Sequence, residues 1–165
     1  VNLDAAPLVT NCVFIGNEAT KGGGVRLQGG AFVELVNCTV LHNTATDVDG
    51  SVSASGDSTL TIVNSIIRGN SDQTVGGGSV TMTYTNVEGG YVGAGNIDSV
   101  PDFVDVDGFD DVIGTMDDDV RLAHGSDGIN DGDSGTPNLP LVDIQNQDRT
   151  DGTVDMGAYL SLIHI

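Results

Sequence analysis

Asp47, Asp49 and Asp72 follow two equivalent asparagine turns, at Asn43 and Asn70, and could lie on one side of a repeat. Carboxylates converging on one groove are the equipment of glycoside hydrolysis, one serving as general acid and the other as base or nucleophile. A lyase would need a base for the proton α to a uronate, and positive charge to hold the acid group. Lys21, Arg26, Arg68, Arg121 and Arg149 are too scattered to form such a clamp. The three aspartates adjoin Thr, Ser and Gly in loop-like stretches where solvated Asp is common, so they are candidates only and catalysis is not expected. His42 stands where the repeat otherwise has glycine, and reads as a turn residue.

A second constellation suits a hard cation. Asp105-Val106-Asp107-Gly108-Phe109-Asp110-Asp111 alternates carboxylates around a glycine able to turn sharply, which suggests calcium held by Asp105, Asp107 and Asp111. It is not an EF-hand: with Gly108 at the turn position, Phe103 falls where the first aspartate should be, and no bidentate Glu follows. Asp117-Asp118-Asp119 and Asp131-Gly132-Asp133 are secondary candidates that read as solvated turns.

The elements that position these residues recur. Asn11-Cys12-Val13-Phe14-Ile15-Gly16-Asn17 returns as Asn37-Cys38-Thr39-Val40-Leu41-His42-Asn43 and again as Asn64-Ser65-Ile66-Ile67-Arg68-Gly69-Asn70, at steps of 26 and 27 residues. Between the asparagines lie short alternating runs, Gly24 to Leu27, Phe32 to Leu35 and Cys38 to Val40, which are strand signatures. Three short strands per rung predict an all-β parallel β-helix, a solenoid whose units bury their apolar faces only by stacking. The register places Val33 under Leu60, Leu35 under Ile62, Cys38 under Ser65 and Val40 under Ile67. Cys12, Phe14, Leu27, Val33, Leu35, Cys38, Val40, Leu60, Ile62 and Ile67 are expected to point inward. A helical repeat of this period is excluded by 24 glycines, two triplets among them, each glycine costing a helix interior about 1 kcal/mol. Asn17, Asn43 and Asn70 are expected to hydrogen-bond up the stack. Cys12 and Cys38 share one repeat position; stacked thiols are favoured over a disulfide, because the side chains run parallel.

Charge divides the chain. Residues 1–95 hold 8 acids and 3 bases, whereas residues 96–165 hold 16 acids and 2 bases. So few bases exclude nucleic acid as a partner. No apolar run approaches the roughly 18 residues of a membrane span, so no insertion is expected. Residues 1–95 are assigned to rungs and 96–159 to an irregular acidic C-terminal cap folded over the last rung. Phe103, Phe109, Leu122, Ile129, Met156 and Tyr159 should plug it, with Arg121 and Arg149 paired to carboxylates. Residues 160–165 form an apolar tail that resembles translated adapter read-through of metagenome assemblies and is expected to be non-native.

The order Pro101-Asp102-Phe103, Arg121-Leu122 with Gly125-Ser126, Ile129-Asn130-Asp131-Gly132-Asp133 and Val154-Asp155-Met156-Gly157-Ala158-Tyr159 resembles the C-terminal end of bacterial right-handed parallel β-helix repeat proteins. These are the secreted and surface group that often carries a choice-of-anchor domain. The likeness runs from about Asn11 to Tyr159, with Ser126-Asp127 and Ile129-Asn130 departing from the group's usual Ser-Pro and Ile-Asp. It implies an extracellular or cell-surface setting in a bacterium, and further rungs N-terminal to this segment in a parent chain. Three functions compete: a non-catalytic structural or adhesive module meeting extracellular polysaccharide or protein, a β-helix polysaccharide lyase or glycoside hydrolase, and a calcium-stabilised structural domain. The first is the expectation adopted.

Overall fold

The computed structural model describes residues 6–47, 51–71, 75–76, 78–149 and 152–161. The described residues contain no helix; the protein is all-β, with parallel sheets. The first sheet stacks β1 (Leu8–Thr10), β5 (Phe32–Val36), β9 (Thr59–Val63) and β12 (Ser79–Thr83). The second stacks β2 (Val13–Ile15), β6 (Thr39–Leu41), β10 (Ile66–Arg68) and β13 (Asn86–Val87). A third joins β4 (Val25–Leu27), β8 (Val52–Ala54) and β11 (Val75–Gly76), and a two-stranded pair joins β3 (Glu18–Ala19) to β7 (Thr44–Ala45). Strands paired within each of these sheets come from successive passes of the chain, all parallel.

The register agrees with the repeat: Val33 pairs with Leu60, Leu35 with Ile62 and Val40 with Ile67. The backbone N–H of Cys38 donates to Ser65 Oγ at 3.0 Å. All ten residues expected to face inward lie in or against one core with Val52, Ala54, Met82 and Val87. Sequestering each large side chain of this set is worth about 1.5–3 kcal/mol. The final pass is shorter: Thr81 pairs with Thr61 and Asn86 with Ile66.

Two asparagine rows fix the turns. In the first, Asn17 Nδ2 donates to Asn43 Oδ1 at 2.8 Å and Asn43 Nδ2 to Asn70 Oδ1 at 3.0 Å, while the backbone N–H groups of Asn17 and Asn43 bond to the same two oxygens. The second row, Asn11, Asn37 and Asn64, has φ of 51° at each position, a left-handed conformation in which Asn is far better tolerated than a branched residue. This conformation turns the chain from the first sheet to the second and points the amides outward.

The acidic segment differs from the expected cap. The edge of the last pass is closed by residues 91–97: Tyr91 OH donates to Val80 O, Asn96 Nδ2 to Met82 O, and the Tyr84 N–H to Ala94 O. The chain beyond runs back along the outer face of the second sheet. There Asn11 Nδ2 donates to Val142 O, Asn37 Nδ2 to Asp155 O and Asn64 Nδ2 to Asp133 O. Thr39 Oγ1 accepts the Ala158 N–H at 3.0 Å. The cause is the apolar outer surface of that sheet: Leu41 and Ile66 form a second core with Val120, Leu122 and Met156, and Val13, Ile15, Phe103, Ile129 and Tyr159 pack against it. Phe109, expected in the plug, is instead 96% exposed. It follows a turn at Gly108, whose φ is 64°. β14 (Phe103–Asp105) and β15 (Asp119–Leu122) form an antiparallel pair within this segment.

Arg121 pairs with Asp119 as expected, whereas Arg149 is buried and donates to Gly157 O at 3.0 Å and to Asn11 Oδ1 at 3.4 Å. Burial pulls its pKa down to about 10, against the pull of Asp143 and Asp155 nearby. Leu160 and Ser161, assigned from sequence to a non-native tail, are buried, their N–H groups bonded to Asp143 Oδ2 and Asp155 Oδ2. Residues 162–165 lie outside the described residues.

Both cysteines are thiols, Cys12 half-buried and Cys38 buried. Asn43→Ala should lower the unfolding free energy by about 2–4 kcal/mol in urea titration, since it strands partners of a buried amide, while Asn17→Ala at the exposed end of the row should cost less than about 1 kcal/mol. Burial pushes the Cys38 thiol up to about 12 from 9.0. A thiol raised in the folded state contributes its stability in full below the unfolded pKa and loses it as pH rises toward the folded one. Stability should therefore fall between about pH 9 and about pH 12. Cys38→Ser should flatten the change in urea midpoint between about pH 8 and about pH 10, because Ser65 already fills that position one pass later.

Candidate functional site

The repeat acts as its own control for finding a site. In the second sheet Ile15, Leu41, Arg68 and Glu88 occupy one outward column, since Ile15 pairs with Leu41 and Leu41 with Arg68, and the next pass continues from Val87 to Glu88. The following column is Gly16, His42, Gly69 and Gly89. His42, Arg68 and Glu88 are the three departures from apolar residue or glycine. All three line one cleft of about 280 Å³, together with Leu41, Gly69, Val100, Pro101, Phe103 and Val106.

Each departure is held by the fold. His42 has φ of 51°, between Gly16 at 65° and Gly69 at 62°, so a non-glycine residue is kept in a conformation natural to glycine. Its ring lies over Gly69: a Cβ placed on that glycine would meet the ring at 2.5 Å. Arg68 Nη1 donates to Asp98 Oδ1 at 2.9 Å and to Asn86 Oδ1 at 3.0 Å. Glu88 Oε2 accepts the Gly69 N–H at 2.7 Å. Val100, Pro101, Phe103 and Val106 add an apolar lining. The cleft therefore combines an imidazole and one exposed carboxylate with apolar residues, the arginine charge being balanced by Asp98.

Among the described residues, none of the carboxylates proposed from sequence lines this cleft. Asp47 pairs with Lys21 at 3.3 Å, and Asp49 and Asp72 lie outside the described residues. Asp105 is exposed on β14 opposite Asp119, Asp107 O accepts the Val112 N–H, and Asp111 is exposed with φ of 55°. Among the described residues no group of three or more His, Cys, Asp or Glu is placed to hold a metal ion. Acids of the loop at 105–119 help to fold it. Asp117 Oδ2 accepts the Phe109 N–H, Asp118 Oδ2 the Gly114 N–H, and the Thr115 hydroxyl donates to Asp117 Oδ1 at 2.6 Å. That bond, first among several to Asp117, holds its carboxyl below the ordinary range. Asp131 and Asp133 likewise close local turns, accepting from Gly128 and Gly135.

Sequence reasoning noted His42 but missed Arg68 and Glu88. The signal was present in the register: continuing the outward column from Leu41 through Arg68 requires a shortened last pass to reach Glu88.

No protein-family model, curated protein or solved structure matches the chain. No described helix is long and apolar enough to cross a membrane.

The contact between His42 and Gly69 is directly testable. Gly69→Ala should destabilise the protein by about 1–3 kcal/mol through steric conflict and positive-φ strain. In a His42→Gly background the steric part should vanish, giving a coupling above about 0.5 kcal/mol in a double-mutant cycle.

Proposed function

We propose that the protein is a non-catalytic structural and adhesive module of an extracellular or cell-surface protein, built as a right-handed parallel β-helix, that binds polysaccharide at the flank cleft. The observation that carries the reading is the convergence of His42, Arg68 and Glu88, three breaks in the repeat, on one cleft. A sugar ring has an apolar face and a rim of hydroxyls, and the cleft offers Val100 and Phe103 as apolar lining beside polar atoms. Arg68 is neutralised by Asp98 and Glu88 is anionic, so neutral sugars fit better than uronates.

Binding rather than turnover is favoured because the charged groups already have structural work. Glu88 caps Gly69 and Arg68 anchors Asp98, whereas a hydrolase needs two carboxylates across the scissile bond. The extracellular setting rests on the resemblance to bacterial surface β-helix proteins and on the acid excess, which keeps a secreted chain soluble.

Affinity electrophoresis through gels containing neutral polysaccharides should retard the protein, and His42→Ala and Glu88→Gln should abolish the retardation. Pectin and alginate, with or without calcium, should yield no reducing or unsaturated ends. Release of such ends, lost in Asp47→Ala, would replace binding by catalysis as the function.

A further inference from the structure

The loop between β14 and β15 carries apolar side chains that the fold leaves uncovered. Phe109 is 96% exposed and Met116 wholly so, and Val112 and Ile113 between them are exposed as well. None of the four belongs to either apolar core. Single exposed apolar residues are ordinary, but this many in one short loop make a surface of the kind that partners cover.

The loop is held in shape by polar groups. Gly108 lies so close to Asp117 that a Cβ there would meet the Asp117 backbone carbonyl carbon at 2.9 Å, and this contact closes the loop just before Phe109 and just after Met116. Asp117 Oδ2 accepts the N–H groups of Phe109 and Asp110, Asp118 Oδ2 accepts that of Gly114, and the Val112 N–H donates to Asp107 O. The loop also leans on the repeat: Gly114 and Gly16, with φ of 93° and 65°, meet backbone to backbone, and a Cβ on Gly16 would fall 2.7 Å from Gly114 Cα. A surface formed in advance loses little freedom when it is covered.

Charge indicates what covers it. Asp105, Asp107, Asp110, Asp111, Asp117 and Asp118 lie in the same loop, and residues 103–120 contain no base. Anionic lipid headgroups would be repelled. A second copy would bring the same aspartates and little positive charge to meet them, since Lys21, Arg68 and Arg121 are paired to Asp47, Asp98 and Asp119 and Arg149 is buried.

We propose that this loop docks a basic amphipathic segment of a partner protein, whose apolar face covers Phe109 and Met116 and whose Lys or Arg side chains meet the surrounding aspartates. Removal of the apolar pair from water supplies affinity, and the carboxylates supply association rate and orientation. An aromatic ring is a frequent anchor of such contacts, and the unbranched Met adapts to what it meets. The surface is separate from the flank cleft, which neither Phe109 nor Met116 lines.

Fluorescence anisotropy with a labelled peptide that sets Lys and Leu on opposite faces of a helix tests this. The intact chain should bind it at least about tenfold more tightly than Phe109→Ser/Met116→Ser, which keeps every charge. Replacing each Leu of the peptide by Ser should remove that difference, and raising salt from about 0.02 M to about 0.2 M should weaken binding to both chains. The two chains should melt at the same temperature, because both side chains lie outside the cores. Equal affinity of the two chains for the Lys and Leu peptide, or no binding by either, overturns the proposal. So does co-sedimentation with phosphatidylglycerol vesicles, or self-association, that the double substitution abolishes, since the occupant would then be a membrane or a second copy.

Discussion

Buried amides must be satisfied, and the architecture follows from how the asparagines meet that requirement. Asn43 is fully buried, and its side chain bonds to Asn17, Asn70 and the carbonyl of Phe14. Leaving such a group unpaired costs about 1–3 kcal/mol per polar atom. Only a neighbour carrying the same residue at the same height satisfies the amide from both sides. The stack therefore fixes register more sharply than the apolar contacts do, because a valine tolerates a small slip and an amide pair does not. The alternating strands then deliver Leu35, Val40, Leu60 and Ile67 to one core.

The second asparagine row turns this register into a platform. Asn11, Asn37 and Asn64 project from equivalent left-handed turns, and each takes hold of a different part of the returning chain, at Val142, Asp155 and Asp133. The sheet between them is buried on both faces: Val40 faces the inner core, while Thr39 and Leu41 meet the segment that ends in Gly157 and Ala158. Sixteen acids fall in residues 96–165; the most buried of the described ones, Asp143 and Asp155, accept backbone N–H groups and lie near the Arg149 guanidinium. The flank cleft is a consequence of this arrangement, since Val100, Pro101, Phe103 and Val106 help to line it.

The period and alternation in the sequence were enough to give the inner core and the Asn17–Asn43–Asn70 stack, because both are set by neighbours one pass away. The path of the acidic segment was not legible in the same manner. Its anchors are separated by 118 residues for Asn37 and Asp155 and by 131 for Asn11 and Val142, and nothing local in either partner announces the other. One sign was available: Thr39-Val40-Leu41 and Ile66-Ile67 are apolar or small at adjacent positions, which marks strands covered on both faces. Among the candidate site residues, part of the carboxylate clustering has a local structural use. In the loop at 105–119 the acids of Asp110, Asp117 and Asp118 serve as acceptors for backbone and hydroxyl groups. His42, a break in a glycine column, was the more informative signal.

Hydrogen exchange along residues 154–161 tests the central claim most directly. The Gly157 N–H donates to Asn64 O and the Ala158 N–H to Thr39 Oγ1, both within the second core. If the repeat holds the acidic segment against its flank, these amides exchange as slowly as those of β6 and quicken in Asn64→Ala and Thr39→Val. Exchange as fast as that of the exposed loop at 109–114, in the unaltered protein, would contradict the account.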